Sequence, residues 1–351
     1  MRSSARLPAS PNLSATTFSV ADMVTLHYDQ RAMEMNPNES ALDCLERHGV
    51  AITSRCRSGI CQSCMMHVVD GEIPEGAQHG LKPTWRDAGL VLICQSHPTS
   101  DLHLALPGAF VQETQVKLVE KTWLSSSVVR LRWRPLQPLS YRPGQFIHLR
   151  RPSDGLMRSY SLASVPGVDD HLELHVRQEP HGQMSGWLAE ALNTHDTVTF
   201  RGPSGDCVYT CDDPTAPIVM IGVGTGLAPL WGVLRDALHQ GHTGPITLYH
   251  AGRTPDRLYM RDALNTLAHA HMGQVTIHAC VLENPDAGCR QGHLEELVMA
   301  DRHPWADAYV LLCGDPGLVK SLKKRCFLAG ASLSRIAADP FVGANALMAR
   351  D

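Results

Sequence analysis

The chain has 351 residues, of which 43% are hydrophobic and 19% charged, and its formal net charge is -4. This composition is typical of a globular protein with two or three domains. Without a basic excess, we expect neither nucleic acid nor an anionic membrane as a partner. The uncharged stretch 214–234 is about as long as a membrane span, but its glycines and prolines divide it into a strand, a turn and the start of a helix.

Residues 1–21 contain no continuous apolar run, so they predict a disordered lead-in and not a secretion signal. We therefore expect a cytoplasmic protein whose eleven cysteines are thiols or thiolate ligands, since disulfides belong to oxidising compartments. Seven of these cysteines show no ligand spacing and are predicted to be small buried hydrophobes: Cys44, Cys207, Cys211, Cys280, Cys289, Cys313 and Cys326.

Residues 22–108 predict a small α+β domain. The alternating "MVTLHYDQ" is typical of a half-buried strand, and "NESALDCLERHG" predicts a short helix with Asn or Ser as its cap and Gly49 as its stop. A cysteine-bearing loop, the strand-like "MMHVVDGEI" and a second cysteine-bearing segment, "LVLICQSHP", follow.

Four cysteines in this region follow the spacing C-x4-C-x2-C, a long gap and C, which is the ligand pattern of a plant-type [2Fe–2S] cluster. Gly59 allows loop torsions closed to other residues, and the small Ser58 and Ser63 leave room for amide N–H groups to point at the sulfurs. A zinc site usually has two C-x2-C pairs, and the second pair is missing here. The predicted ligands are Cys56, Cys61, Cys64 and Cys94. The region resembles a plant-type ferredoxin domain, which implies a β-grasp-like fold.

Many short strands with Gly/Pro turns and one helix predict a six-stranded antiparallel β-barrel over residues 114–212. In "RSYS", Arg158 offers a cation for a pyrophosphate, Tyr160 an aromatic face for a flavin ring and Ser161 a hydroxyl. In "HGQMSGWL", Gly182 and Ser185 stand at a helix start that favours a phosphate. Taken singly, the first motif would favour an Arg and a Tyr on a barrel rim, and the second would be an ordinary helix cap.

Together and in this order, the two motifs resemble the FAD-binding domain of the ferredoxin–NADP reductase superfamily, and "YRPGQF" matches its strand before the pocket. The resemblance implies that Arg158, Tyr160, Ser161, Gly182 and Ser185 bind FAD.

Residues 214–351 alternate strands with helices, which predicts an α/β domain with a doubly wound parallel sheet. Its helices are predicted to begin near Leu258, Gly292 and Gly317. The glycine-rich turn after the first strand is tighter than the Rossmann fingerprint and resembles the reductase motif G-x-G-T-G-x-A-P. The resemblance implies a nicotinamide dinucleotide site at Gly222, Gly224, Thr225 and Gly226.

"CGDPG" resembles the C-G-x-P segment of the same family, which implies that Cys313 and Gly314 flank the nicotinamide. Arg253 after the second strand suits the 2′-phosphate of NADPH, but NADH-using relatives carry similar text, so we favour NADH. In some relatives a terminal aromatic covers the flavin. Phe341 in "DPF" is its counterpart here, although the segment departs from the Glu-x-Phe form.

The order of ferredoxin, FAD and NAD motifs resembles the reductase components of multicomponent oxygenases. The resemblance implies that a hydride passes from NAD(P)H to FAD and that single electrons leave through the [2Fe–2S] cluster to a partner, with no side chain as acid or nucleophile. The expected partner is a terminal oxygenase or another electron-acceptor protein, and we favour a monomer. Two alternatives stay open: a reductase for a deoxysugar dehydratase, and a non-enzymatic redox-sensing module.

Overall fold

A computed structural model of the chain describes residues 24–52, 54, 56–59, 62–107 and 113–341. The chain divides into two compact units, residues 1–110 and 111–351. Within the described ranges, no helix is both long enough and apolar enough to span a membrane.

The first unit is a five-stranded mixed sheet with a helix packed on one face. Strand β1 pairs in parallel with β5, and the other neighbouring strands pair antiparallel in the order β2-β1-β5-β3-β4. Leu42 and Leu45 of helix α1 pack against Leu26 and Met66 of the sheet. The elements are β1 Thr25–Tyr28, β2 Arg31–Glu34, α1 Ala41–Arg47, β3 Met65–Asp70, α2 Pro83–Asp87, β4 Leu90–Leu92 and β5 Leu102–Ala105.

The predicted ends of α1 are confirmed. The Ser40 hydroxyl accepts a hydrogen bond from the Asp43 amide at 3.1 Å and so satisfies a free N–H of the first turn. Gly49, just beyond the helix, has a φ of +75°, a torsion that glycine adopts without steric cost.

The second unit begins with a six-stranded antiparallel sheet in the order β10-β7-β6-β11-β8-β9, as predicted. The two edge strands meet only through an isolated bridge between Leu162 and Leu174, so the ladder does not close into a continuous barrel. Trp133 and Phe200 lie in its core. The elements are β6 Glu113–Trp123, β7 Val128–Pro135, β8 Phe146–Arg150, β9 Met157–Ser161, β10 Leu172–Arg177, α3 Gln183–Gly186 and β11 Thr197–Ser204.

A second, wholly parallel sheet completes this unit in the order β15-β14-β13-β12-β16-β17. Helices α4 and α5 contribute Leu230 and Leu264 to the core on one face, and α6 and α7 contribute Val298 and Leu322 on the other. The order of strands reverses between β12 and β16, where such sheets open a ligand crevice. The elements are β12 Ile218–Val223, α4 Leu227–His239, β13 Ile246–Gly252, α5 Arg261–Ala270, β14 Val275–Val281, β15 Cys289–Gln291, α6 Leu294–Ala300, β16 Tyr309–Gly314, α7 Pro316–Leu328 and β17 Ile336–Pro340.

Two details of the prediction for this part of the chain were wrong. Helix α5 begins at Arg261 and not near Leu258, because Met260 has a left-handed φ of +59°, which a right-handed helix cannot include. Of the seven cysteines predicted to be buried, Cys211 and Cys289 are only half-buried.

Candidate functional site

The described part of the cysteine loop brings two of the predicted cluster ligands together. Cys64 immediately precedes β3, and Cys94 lies in a short turn directly after β4, the antiparallel neighbour of β3. The Ile93 amide donates to the Cys64 carbonyl at 3.3 Å, and both thiols are buried. Cys56 is half-buried, and Cys61 lies outside the described residues.

The backbone of this loop is coiled, with left-handed φ values at Arg57, Gly59 and Gln62. Consecutive N–H groups in such a conformation form a concavity that suits an anion, and the Ser58 amide already donates to the Cys56 sulfur at 3.5 Å. Arg57 also pairs with Asp43 and Glu46, which fixes the loop to α1. These thiols and amides fit a thiolate-ligated cluster, although no three metal ligands already converge within the described ranges, which omit Cys61.

Three of the predicted flavin residues, Arg158, Tyr160 and Ser161, lie on β9, the edge strand next to β8. The Arg158 guanidinium donates only to the neighbouring Met157 carbonyl at 2.7 Å and pairs with no carboxylate of the described chain. Its charge is therefore available to an anionic group. Tyr160 packs against the sheet core, and burial raises the pKa of its hydroxyl despite the opposing effect of Arg158. A neutral aromatic face beside a free cation fits a flavin with its pyrophosphate.

Gly182 and Ser185 form a tight turn at the start of α3. The Ser185 hydroxyl accepts from the Glu179 amide at 3.1 Å, and a Cβ at position 182 would lie only 2.3 Å from that hydroxyl oxygen. A side chain at 182 would therefore displace the Ser185 hydroxyl from its bond to the Glu179 amide. The first N–H groups of the helix have no carbonyl partner within the helix and are free to bind a phosphate.

Ser161 connects the flavin strand to the parallel sheet. Its hydroxyl donates to the Asp339 carboxylate on β17 at 3.0 Å, although the two residues are 178 positions apart. Burial raises the pKa of Asp339, and the Ser161 bond partly offsets this. Asp339 lies opposite Cys313 in the β16–β17 ladder. The predicted flavin and nicotinamide residues thus meet at one place.

The predicted pyrophosphate turn follows β12 at the reversal of strand order. Gly224 has a φ of +56°, and the Arg177 guanidinium from β10 packs on it so closely that a Cβ would lie 2.1 Å from an Nη atom. A turn with backbone amides and an adjacent cation is suited to a pyrophosphate.

The same turn packs against the end of β16. A Cβ at Gly226 would lie 2.2 Å from the Cys313 carbonyl oxygen, and one at Gly314 would lie 2.6 Å from the Val223 carbonyl oxygen. Gly222 is buried and lies opposite Cys313 in the β12–β16 ladder, and Thr225 is half-buried at the centre of the turn. Close packing of backbone on backbone therefore requires glycine at position 226 in the turn and at position 314 at the end of β16.

The Cys313 side chain is completely buried, and its sulfur lies 3.3 Å from that of Cys207. Burial raises the pKa of the Cys313 thiol well above its ordinary value, so the side chain is neutral at this position. Phe341 is half-buried, and its amide donates to the Gly314 carbonyl at 2.8 Å. The backbone of the terminal aromatic residue is thus fixed to the same strand end.

Arg253 lies one residue beyond β13 and is separated from the Cys313 end of the crevice by β12 and the turn. Its guanidinium pairs with Glu283, two residues beyond β14, with an Nε–Oε1 distance of 3.0 Å. The Leu282 and Glu283 amides also donate to the Arg253 carbonyl. The pair is exposed at the carboxyl edge of the sheet.

Sequence reasoning missed Asp339, Arg177 and Glu283. Asp339 occupies the position of the family's Glu in the "DPF" segment, which was a usable signal. Arg177 and Glu283 carry no local motif, because each becomes relevant only through a neighbour far away in sequence.

Three family models match the chain in succession. They describe a 2Fe-2S iron-sulfur cluster binding domain over residues 24–99, an oxidoreductase FAD-binding domain over residues 115–209 and an oxidoreductase NAD-binding domain over residues 220–324. The expected cofactors, a [2Fe–2S] cluster, FAD and a nicotinamide dinucleotide, are thereby confirmed.

Relatives match over nearly their whole length. The chain is 32% identical over 324 residues to the ferredoxin–NAD(P)(+) reductase component of the naphthalene 1,2-dioxygenase system of Pseudomonas putida, covering 89% of this chain and 96% of that protein. It is 31% identical over 310 residues to the reductase subunit of an aromatic O-demethylase from Amycolatopsis sp. (strain ATCC 39116 / 75iv2), covering 84% and 92%.

Solved structures share the fold over most of the chain. A cytochrome P450 reductase from Amycolatopsis matches with a TM-score of 0.64 and 29% identity, covering 91% of this chain and 99% of that one. The ferredoxin reductase of carbazole 1,9a-dioxygenase shares the fold, with a TM-score of 0.60 and 20% identity over 91% of this chain and 98% of that one.

Proposed function

Because the chain belongs to the ferredoxin–NADP reductase superfamily, as a reductase component of the kind that serves oxygenase systems, we propose that it passes electrons from NADH to an oxygenase partner. It is an NAD(P)H-dependent flavin and iron–sulfur oxidoreductase. In this proposal, residues 22–108 form a β-grasp-like ferredoxin domain, residues 114–212 the FAD-binding barrel and residues 214–351 the NAD-binding domain.

The hydrogen bond between Ser161 and Asp339 carries the proposal, because it joins the predicted flavin strand to the predicted nicotinamide strand. When bound, FAD and the cluster convert a two-electron hydride donor into one-electron steps. Ser161 orients its hydroxyl on Asp339, and the buried Cys313 thiol excludes water beside them. Arg158 and the Gly182–Ser185 turn hold the FAD pyrophosphate. Cys56, Cys61, Cys64 and Cys94 ligate the cluster.

The preference for NADH is supported by Glu283. If the nicotinamide lay at Cys313 and the pyrophosphate at the turn after β12, the adenosine half would extend past β13 toward the Arg253–Glu283 pair. There Glu283 neutralises the cation that would attract a 2′-phosphate and presents a carboxylate that suits a 2′-hydroxyl. An added phosphate would face this carboxylate at a cost in binding free energy.

The partner is proposed from the names of several relatives. They are reductase components of a naphthalene dioxygenase system, an aromatic O-demethylase and a propane 2-monooxygenase of Rhodococcus jostii (strain RHA1). These oxygenase systems act on different substrates, so the shared feature is the one-electron delivery and not the substrate.

Steady-state kinetics test the proposal directly. We expect fast NADH oxidation with ferricyanide or cytochrome c as acceptor and a lower kcat/KM with NADPH. Slow or absent turnover with both acceptors would favour a redox-sensing module instead. Glu283→Gln should lower the NADH to NADPH ratio of kcat/KM by roughly 5- to 10-fold, the effect of one exposed hydrogen bond of about 1 kcal/mol. Glu296→Gln, which removes an exposed carboxylate from α6, should leave the ratio unchanged. Equal ratios for both variants would contradict the role of Glu283.

A further inference from the structure

His250 is a buried histidine for which the described part of the chain offers no hydrogen-bond partner. It lies on β13, opposite Gly222 in the β12–β13 ladder. Gly222 is near the end of β12, which leads directly into the pyrophosphate turn, so His250 lies next to that turn. Its side chain is 1% exposed, and neither Nδ1 nor Nε2 finds a partner among the described residues. Buried polar groups are normally paired, and leaving them unpaired costs folding free energy.

The surroundings of His250 keep its ring neutral. Burial lowers the pKa of the ring to about 3, and the nearby cations of Arg177 and Arg261 act in the same direction. The Gly224 backbone raises the pKa of the ring, as a carbonyl facing a ring N–H does. Neither ring nitrogen, however, meets the geometry of a hydrogen bond with that backbone. The imidazole is therefore close to the turn but not bonded to it.

The other buried histidines in the described part of this unit each have at least one side-chain partner. His175 bonds the Tyr259 hydroxyl at 3.1 Å and the Glu173 carboxylate at 2.9 Å. The Nδ1 of His242 bonds the Tyr209 hydroxyl at 3.1 Å and only its Nε2 lacks a partner, whereas both ring nitrogens of His250 lack one. The Tyr259 ring stands at 90° to the His250 ring with the centroids 5.5 Å apart. The hydrogen bond to His175 holds the Tyr259 ring in place. The His250 ring therefore cannot rotate past Tyr259 to reach another partner.

Arg177 shows a related feature beside the same turn. Its guanidinium packs on Gly224, and its Nε is buried without a partner in the described chain. Two polar side chains with unmet hydrogen bonds therefore border one glycine of the turn. A sequence optimised only for stability would replace His250 with an apolar ring of similar size, so its polarity points to a role in binding.

We propose that His250 is a positioning residue for the nicotinamide dinucleotide. When the turn closes on the pyrophosphate, the neutral His250 ring donates a hydrogen bond to the Gly224 carbonyl from the β13 side of the turn. This bond keeps the amides of the turn pointing toward the ligand. The unmet bond of the free protein thus becomes a driving force for binding. This inference rests on the proposed function only in assigning the turn to the pyrophosphate.

The test compares His250→Phe with His242→Phe, since both remove a buried imidazole that packs against a tyrosine ring. The Kd of tetrahydro-NAD, which cannot donate a hydride, is measured by calorimetry, and Tm by thermal unfolding. We expect His250→Phe to raise Kd roughly three- to tenfold, as for the loss of one hydrogen bond, without lowering Tm. His242→Phe should lower Tm, because it leaves the Tyr209 hydroxyl unpaired, and keep Kd. His250→Gln, which retains a donor and an acceptor, should recover part of the affinity.

With NADH and ferricyanide, His250→Phe should raise KM and leave kcat nearly unchanged. An unchanged Kd in His250→Phe would overturn the inference, and so would equal losses of affinity in the His250→Phe and His242→Phe variants. If His250→Phe fails to fold, His250→Leu replaces it in the same comparison, and a wild-type Kd and KM in His250→Leu would then count against the role. If the wild-type protein itself fails to bind the analogue and to oxidise NADH, the proposed function fails instead.

Discussion

Replacing Gly226 with alanine is the sharpest test of how the pyrophosphate turn is built. The added Cβ would lie 2.2 Å from the Cys313 carbonyl oxygen and 2.9 Å from the Gly314 nitrogen, whereas real Cβ atoms essentially never come within 3.0 Å of such atoms. Turn and strand must therefore separate by at least 0.8 Å, the difference between 3.0 and 2.2 Å. Because the atoms concerned are backbone, no side chain can move aside to absorb the clash.

A displacement on the order of 1 Å at reacting groups lowers a rate about 100-fold. We expect Gly226→Ala to reduce kcat/KM for NADH with ferricyanide by about this factor. Bound FAD and iron should stay at wild-type levels, because the proposed ligands of FAD and of the cluster lie elsewhere in the chain. Flavin absorbance, iron content and far-UV circular dichroism separate this result from general unfolding.

Gly186→Ala is the matched control. Gly186 has a helical φ of -63°, and a Cβ there would meet nothing within 4 Å, so alanine should stabilise the helix by about 1 kcal/mol and leave kcat/KM within about twofold. If Gly226→Ala keeps kcat/KM within threefold of the wild type, the turn does not depend on its close packing against β16, and the reasoning is refuted.

Three further predictions concern the other parts of the site. Cys64→Ser should abolish reduction of the oxygenase partner and keep NADH-driven ferricyanide reduction through the flavin; loss of both activities would contradict the modular path. Arg158→Ala should lower the FAD to protein absorbance ratio, whereas Arg134→Ala, on an exposed part of β7, should not; equal FAD content would argue against a pyrophosphate role. Asp339→Asn should raise Tm more at pH 8 than at pH 4. Burial raises the pKa of this carboxyl, so the folded protein loses stability as rising pH ionises it, and asparagine removes that loss. A pH-independent difference would show that burial is not the cause.

The sequence by itself determined which cofactors the chain carries and in which order their sites occur. Three predicted cluster ligands lie on one loop, and glycines lie in one turn. A few residues of backbone can bring such groups together only at certain spacings, so the spacing is visible in the sequence. Gly59 and Gly224 adopt the left-handed φ that this spacing implies. Helix α1 was predictable for the same reason, since its cap and its stop are local.

Only the tertiary structure decided which groups complete the site. Asp339 reaches Ser161 across 178 positions, and Arg177 reaches Gly224 from a different sheet. No spacing rule encodes such pairs, because they depend on how two sheets pack together. The unpaired state of His250 is likewise invisible in "LYHAG", since a hydrogen bond that is missing can be recognised only when all possible partners have been placed.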